Sequence, residues 1–364
     1  MANLRDRLKR IQESKKENDQ KINYTQSEEI KELIDLGWEP CGYKVYKREV
    51  AFMPPFKSNK KLPKAISILI PDLYGIELPA LNDFLFFDLE TTGLSGGAGT
   101  VAFLAAFGKF VNNDKLNLII TQYLLLDYPG ENDFLLNVLS ELNGNYTVVS
   151  YNGKCFDSQI IRTRCLMNRI KVPEYRHVDL LHPSRRLWKN IIQDCSQSSV
   201  EEKILKLSRT DDVPGSLAPE IWFEFLKTGR IDRLKGICDH NTSDIFGLAS
   251  ILSVIISIAE NPVNNKYQLD LQRLALFWRR FLKRSKDDFC NDNLTKTGNE
   301  LLRLSAQNNY PRAVYVYAYD QMKCGNYIES LKYVNIALKL FDKESVWHEK
   351  LLRRKTRLER IINL

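Results

Sequence analysis

The stretch FLFFDLETTGLSGGAGTVAFLAAFG, from Phe84 to Gly108, decides the predicted fold. An apolar run carrying Asp88 and Glu90 breaks at a cluster of glycines before a second apolar run begins, a pattern typical of strand, turn and strand. Because side chains two apart on a strand point the same way, the two carboxylates share one face. Carboxylates among aromatic side chains are costly without a cation, and oxygen-only ligands suit Mg2+ or Mn2+. We interpret the stretch as half of a metal site for phosphate chemistry, although taken alone the pair also fits a solvated strand edge.

Length and composition predict a soluble globular protein. The 364 residues are 44% hydrophobic, enough for two domains or for one large domain with a helical appendix. The seven cysteines form no CxxC pair, so the sequence indicates neither a disulfide framework nor a zinc site. Their scatter indicates a reducing compartment. The charged N-terminus does not resemble a signal peptide, and the longest apolar stretch, residues 248–259, is too short to span a bilayer. We expect a cytoplasmic protein with no membrane partner.

Positive charge is concentrated at the C-terminal end. Residues 265–364 contain 20 Lys and Arg against 11 Asp and Glu, an excess of nine, whereas the whole chain carries +8. Residues 1–264 are therefore close to neutral. Such an asymmetry favours an anionic partner, and we expect nucleic acid rather than a membrane.

The order of predicted elements indicates a mixed-sheet α/β core. Apolar runs at 101–110 and 116–126 form a plausible hairpin, a helical pattern covers 131–142, and a buried strand follows at 147–152. We divide the chain into a charged lead (1–36), a strand and loop region (37–83), the α/β core (84–263) and a basic helical region (264–364).

Two further motifs supply acids. YNGKCFD places Asp157 just after a strand, at the edge where open α/β sheets bind ligands. HNTSD places His240 and Asp244 four residues apart, on one face of a predicted helix. Asp244 would supply a fourth carboxylate, and His240 can act as a general base because histidine titrates near neutral pH. The alternative is that His240 only caps or packs the helix.

The segment HVDLLHPSRRLW offers Arg185 and Arg186, at the start of a predicted helix. Arginines there can hold phosphates, or they can form a solvated helix face. His177 and His182 lack a second ligand at metal spacing, and we expect both to be structural.

In this order, FDLETTG, YNGKCFD and HNTSD resemble the three exonuclease motifs of the DEDD superfamily on a ribonuclease-H-like fold. More narrowly, FDLETTGLSGGAGT, HVDLLHPSRRLW, DDVPGSLAPEIWFEFLKTG and HNTSDIFGLA resemble the YprB-like bacterial family, whose members carry a C-terminal tetratricopeptide-like region. The spacing of Gly325, Ser330, Val334 and Ala337 is compatible with such a repeat.

The resemblance implies a set of site residues. The ligands of two Mg2+ or Mn2+ ions would be Asp88, Glu90, Asp157 and Asp244, and the base would be His240. The terminal nucleotide would lie at Thr91, Gly93 and Leu94, with Asn152, Arg185 and Arg186 as further candidate substrate contacts. One departure is that superfamily members commonly place a Tyr four residues, or a His five residues, before the last Asp, whereas here a His takes the Tyr spacing.

The resemblance also implies the function. We expect a metal-dependent 3′–5′ exonuclease of DNA, acting by a two-metal mechanism in DNA repair beside a helicase partner. The alternatives are an RNA-processing nuclease using the same site and a nucleic-acid-binding scaffold whose nuclease site is idle.

Overall fold

The structure is a computed structural model that describes residues 31–55, 61–93, 97, 99–112, 116–209, 212–285, 289 and 291–363. Its chain separates into two compact units, each built from discontinuous segments. The first unit contains the chain up to Lys61, Pro79–Asp179 and Ser208–Ser250, and the second contains Leu62–Leu78, Leu180–Leu207 and Ile251–Leu364.

A seven-stranded mixed sheet forms the first unit. Its strands are β1 (Glu39–Gly42), β2 (Val45–Phe52), β3 (Phe84–Thr91), β4 (Ala102–Asn112), β5 (Leu116–Leu125), β6 (Thr147–Ser150) and β7 (Arg176–Asp179). The spatial order is β1-β2-β5-β4-β3-β6-β7. The pairs β3–β6 and β6–β7 are parallel and the others are antiparallel, so the predicted mixed-sheet α/β class and the β4–β5 hairpin are confirmed.

The helices are α1 (Ile66–Leu69), α2 (Glu131–Leu142), α3 (Asp157–Met167), α4 (Leu181–Trp188), α5 (Gln197–Val200), α6 (Ala218–Thr228), α7 (Asp232–Glu260), α8 (Leu271–Arg284), α9 (Asp292–Gln307), α10 (Pro311–Lys323), α11 (Tyr327–Leu340) and α12 (Val346–Ile362). A π-helical turn, Glu201–Leu205, follows α5.

Alternation along β3 separates the apolar core from the acids. On one face of β3, Phe87 stacks on Phe107 within the apolar core cluster, which also includes residues of α2. At the edge of this cluster the Tyr123 hydroxyl donates a hydrogen bond to Glu141 of α2. The intervening residues face α7 instead. On that face Gly108 permits close packing, since a Cβ there would lie 2.5 Å from a side-chain carbon of Ile245. The strand is therefore buried on both sides, with its acids directed at a helix.

Helix α7 is long and apolar enough to cross a membrane by composition, but 67% of its most apolar window is buried inside the protein. It has the properties of the core helix of a globular domain.

The second unit is helical, which confirms the predicted all-helical C-terminal region. From α8 to α12 each helix packs on the next. The later helices share a small core built from Ala306, Val314, Ala318, Tyr333, Val334, Ala337, Leu351 and Leu358. Consecutive antiparallel helices joined by short loops account for this arrangement.

Candidate metal centre

Three elements of the first unit bring four carboxylates together. Asp88 and Glu90 project from β3, Asp157 begins α3 after the β6 turn, and Asp244 lies on α7. Burial raises the pKa of Asp88 well above its ordinary range, and the charges of Asp244, Asp157 and Glu90 raise it further. Asp88 therefore lies near the other three acids, and their role as metal ligands stays a prediction.

The cluster is short of positive charge. Burial raises the pKa of Glu90 to about 8, helped by Asp244 and Asp157 and opposed by the charge of His240. Burial and the charge of Asp179 raise the pKa of Asp157 to about 7. Buried carboxylates that disfavour one another's charge are stabilised by a divalent cation, and an oxygen-rich donor set suits a hard ion. The residues present therefore fit the divalent metal expected from the sequence.

Asp244 differs because its two oxygens already face cationic groups. Arg209 donates from Nη2 to Oδ1 at 2.6 Å, and Nε2 of His240 lies 3.1 Å from Oδ2. Burial raises the pKa of Asp244, but the hydrogen bond and charge of His240 and the charge of Arg209 outweigh it, and the pKa is lowered. Asp244 is the acid of the cluster held most firmly in its charged form.

His240 lies inside the carboxylate cluster. Its Nδ1 is 2.8 Å from an oxygen of Asp212, and its Nε2 is 3.9 Å from Glu90. Burial lowers the pKa of His240, but Asp244, Asp212 and Glu90 raise it to about 9. One ligand atom each from Glu90, His240 and Asp244 lie within 4.8 Å of one another. The geometry therefore suits His240 either as a base beside the metal or as a nitrogen ligand.

Arg209 and Asp212 were not predicted as site residues. Both precede α6, in the irregular segment after the π-helical turn. Arg209 reaches His240 and Asp244, and Asp212 reaches His240. Gly215 follows them, where a Cβ would lie 2.8 Å from Nε2 of His240, so a glycine is needed for this close approach. The sequence signal that could have pointed to Asp212 was the acid pair of DDVPG, which begins the motif DDVPGSLAPEIWFEFLKTG.

Asp179, at the end of β7, fixes the turn that carries Asp157. Its buried carboxylate accepts hydrogen bonds from the backbone N–H groups of Asn152 at 2.8 Å and Lys154 at 3.3 Å. Asn152 adopts a left-handed conformation, with φ of 64°. In this structure Asn152 therefore shapes the turn through its backbone, and its role as a substrate contact stays a prediction.

The other predicted substrate contacts belong to different units, and their role stays a prediction. Thr91 is buried, and its hydroxyl donates to the carbonyl of Gly93 at 2.9 Å, at the exit of β3. Leu94 lies outside the described residues. Arg185 and Arg186 belong to the second unit. Arg186 donates to the carbonyl of Leu69 there and lies 4.5 Å from the centre of the Phe277 ring.

Comparison with known proteins agrees with this geometry. Residues 85–256 match a family described as the RNase_H superfamily. These residues are similar to a ribonuclease H superfamily domain. The chain is also 40% identical over 173 residues to a protein of Bacillus subtilis (strain 168) called uncharacterized protein YprB, a match covering 47% of this chain and 41% of that protein. The chain thus matches less than half of its relative's length. The matched residues contain all four acids and His240, and the match indicates an RNase H-like nuclease superfamily.

We expect the metal-free protein to lose stability as the pH rises from about 5 to about 9. Unfolded carboxylates titrate near 4, whereas Glu90 and Asp157 titrate at about 8 and about 7 when folded. The folded state then holds protons that the unfolded state has released, so stability falls with rising pH across this window. His240, whose pKa is raised to about 9, loses its stabilising contribution in the upper part of the range. Thermal unfolding in a chelator across these pH values measures the effect, and a rising Tm would contradict it.

Proposed function

We propose that the protein is a divalent-metal-dependent 3′–5′ exonuclease that hydrolyses DNA phosphodiesters. The observation that carries the proposal is the convergence of Asp88, Glu90, Asp157 and Asp244 in one cluster, within the residues that match the RNase_H superfamily. A protein that only binds nucleic acid gains nothing from four carboxylates beside a polyanion. Metal-dependent hydrolysis, in contrast, requires a carboxylate cluster that binds the cations.

The four acids would hold two Mg2+ or Mn2+ ions. Bound there, such ions would supply Lewis-acid polarisation and charge neutralisation at the phosphodiester. Asp212 accepts a hydrogen bond at Nδ1 of His240, which directs Nε2 toward Glu90 and Asp244. In the neutral imidazole this arrangement leaves Nε2 able to take a proton from an attacking water. Arg209 pairs with both Asp244 and Asp212, and so holds the segment that carries Asp212 against α7.

The deciding experiment uses oligonucleotides labelled at either end. Purified protein is incubated with single- and double-stranded DNA and with RNA, in Mg2+, in Mn2+ or in chelator. We expect metal-dependent shortening from the 3′ end, seen as a ladder from 5′-labelled DNA and as early release of a labelled mononucleotide from 3′-labelled DNA. If only RNA is cleaved, the substrate is RNA and the proposal of DNA is wrong. A protein that binds metal and DNA but cleaves neither polymer would support the idle scaffold.

We also propose a cytoplasmic role in DNA repair beside a helicase. The support is the resemblance of the motifs to the YprB-like family and the succession of helices from α8 to α12, which would form a tetratricopeptide-like partner surface. Co-precipitation of helicases from a cell extract, compared between the wild-type chain and variants of the exposed apolar side chains Ile328 on α11 and Leu352 on α12, tests this part separately.

The basic helices offer a separate prediction about DNA binding. We expect charge reversal at Arg280, Lys283 and Arg284, or at Arg353 and Arg357, to weaken DNA binding at low salt, because these side chains are exposed. Each lost phosphate contact should lower the salt slope by about one. Arg279 and Arg354 are left unchanged, since Arg279 pairs with Asp320 and Arg354 lies beside the Tyr315 and Tyr319 rings.

Fluorescence anisotropy across a salt series measures this slope. Asp88→Asn is used as the background so that the DNA is not cleaved. A slope unaltered in both charge-reversed sets would rule out backbone binding by these clusters and leave a protein partner as their explanation.

A further inference from the structure

A chain of buried polar side chains leads from β2 to the carboxylate of Asp88. Arg48 donates to Oε1 of Gln122 from Nη2 at 2.7 Å and from Nε at 3.1 Å. Gln122 then donates to Oδ1 of Asn241 at 3.0 Å, and Asn241 donates to Oδ2 of Asp88 at 2.7 Å. We call Arg48, Gln122 and Asn241 the amide relay.

The register of the sheet aligns this relay. Arg48 pairs with Gln122, Gln122 with Ala106, and Ala106 with Asp88. These four residues form one row across β2, β5, β4 and β3, with their side chains on the same face. Ala106 contributes only a methyl group to the row, and the amide of Asn241 from α7 bridges from Gln122 to Asp88 above it.

Arginine determines the direction of every hydrogen bond in the row. A guanidinium has donors and no acceptor, so the oxygen of Gln122 must face Arg48 and its nitrogen must face onward. That nitrogen also donates to the carbonyl of Cys238 at 2.8 Å, which holds the same orientation. Asn241 must then accept with its oxygen and donate to Asp88, so neither amide can flip without breaking at least two hydrogen bonds.

Burial makes the relay rigid. The side chains of Gln122 and Asn241 belong to residues with no exposed surface, and Arg48 is 9% exposed. A buried polar group that loses its partner bears its full desolvation cost, so the chain of bonds is stable only when complete. Within the described part of the chain, Oδ1 of Asp88 accepts no hydrogen bond, while Oδ2 is held by Asn241.

We propose that Arg48, Gln122 and Asn241 are positioning residues, which orient the Asp88 carboxylate so that one oxygen is presented to a divalent cation. This role rests on the proposed function, because it requires that Asp88 bind metal. Neither amide contacts the reacting atoms. Outer partners of metal ligands commonly account for about 10- to 100-fold in metal affinity or activity.

The test measures metal affinity without nucleic acid. Arg48→Met removes the donor that sets the direction of the relay, and Asn241→Ala removes the bond to Asp88 itself. By calorimetric titration with Mn2+ alone, we expect affinity to fall about 10-fold for the first variant and up to about 100-fold for the second. On DNA, kcat should fall while KM stays near the wild-type value, because substrate contacts are unchanged.

Two further variants separate positioning from general damage. Arg48→Lys keeps a donor toward Gln122 and should restore affinity to within about threefold of wild type. Asp239→Asn removes the exposed partner on the other side of Arg48, 3.2 Å away, and should leave affinity unchanged. Circular dichroism and Tm establish that each variant is folded, and Arg48→Lys remains informative if Arg48→Met does not fold.

The outcomes distinguish the relay from the proposed function. The relay would be overturned, while the metal site stands, by the following combined result. Asn241→Ala would bind Mn2+ as tightly as wild type, and Arg48→Lys would lose as much Mn2+ affinity as Arg48→Met. Wild-type protein that binds no Mn2+ would overturn the proposed function, and the relay with it.

Discussion

Asp88→Asn is expected to abolish metal-dependent DNA hydrolysis, lowering the rate by about a thousandfold or more while the protein stays folded. The substitution removes a ligand charge and almost no volume, and metal ions supply several kcal/mol of transition-state stabilisation at about 1.4 kcal/mol per tenfold in rate. The same change should raise the Tm of the metal-free protein, because burial and three neighbouring acids raise the pKa of Asp88 and penalise its charge. Initial rates and thermal unfolding in chelator measure the two effects.

Controls for this experiment come from the same site and the same helix. Asp157→Asn should behave as Asp88→Asn does, since burial and Asp179 raise the pKa of Asp157 to about 7. Asp239→Asn on α7 changes an acid whose side chain is 54% exposed and should leave hydrolysis unaltered. Full cleavage by either cluster variant would refute the assignment of the metal site.

The acids could be predicted from the sequence because each follows a local periodicity. Asp88 and Glu90 share a strand face by the two-residue repeat, and His240 and Asp244 share a helix face by the four-residue spacing. A strand end followed by a turn and a helix predicted that Asp157 lies at the edge where open α/β sheets bind ligands. These local rules, together with the three ordered motifs, fixed the α/β class and the composition of the cluster.

The partners of the acids could not be predicted, because they depend on distant parts of the chain. Arg209 lies 35 residues before Asp244, in a segment with no helical or strand periodicity. The amide relay joins Arg48 to Gln122, 74 residues later, and can be inferred only once the register of β2 against β5 is known. Such contacts arise from tertiary packing and leave no regular pattern along the sequence.

The second large effect is expected for His240→Ala, which should lower the hydrolysis rate by about 100-fold, the usual scale for losing a general base. Metal affinity should be largely retained, because the four carboxylates remain. Asp212→Asn should cause a smaller loss, since it weakens only the hydrogen bond, 2.8 Å long, that orients Nδ1. Calorimetric titration with Mn2+ and initial rates on labelled DNA, measured for both variants, separate the chemical step from metal binding.

The comparison between rate and metal affinity decides the role of His240. Its Nε2 lies 3.1 Å from Asp244 and 3.9 Å from Glu90, close enough to serve as a nitrogen ligand. If His240→Ala loses metal affinity as severely as activity, the histidine is a ligand and the base assignment is wrong. If both quantities stay within a few-fold of wild type, His240 only packs the helix. The base is supported when the rate falls steeply, the affinity is kept, and Asp212→Asn moves the rate in the same direction.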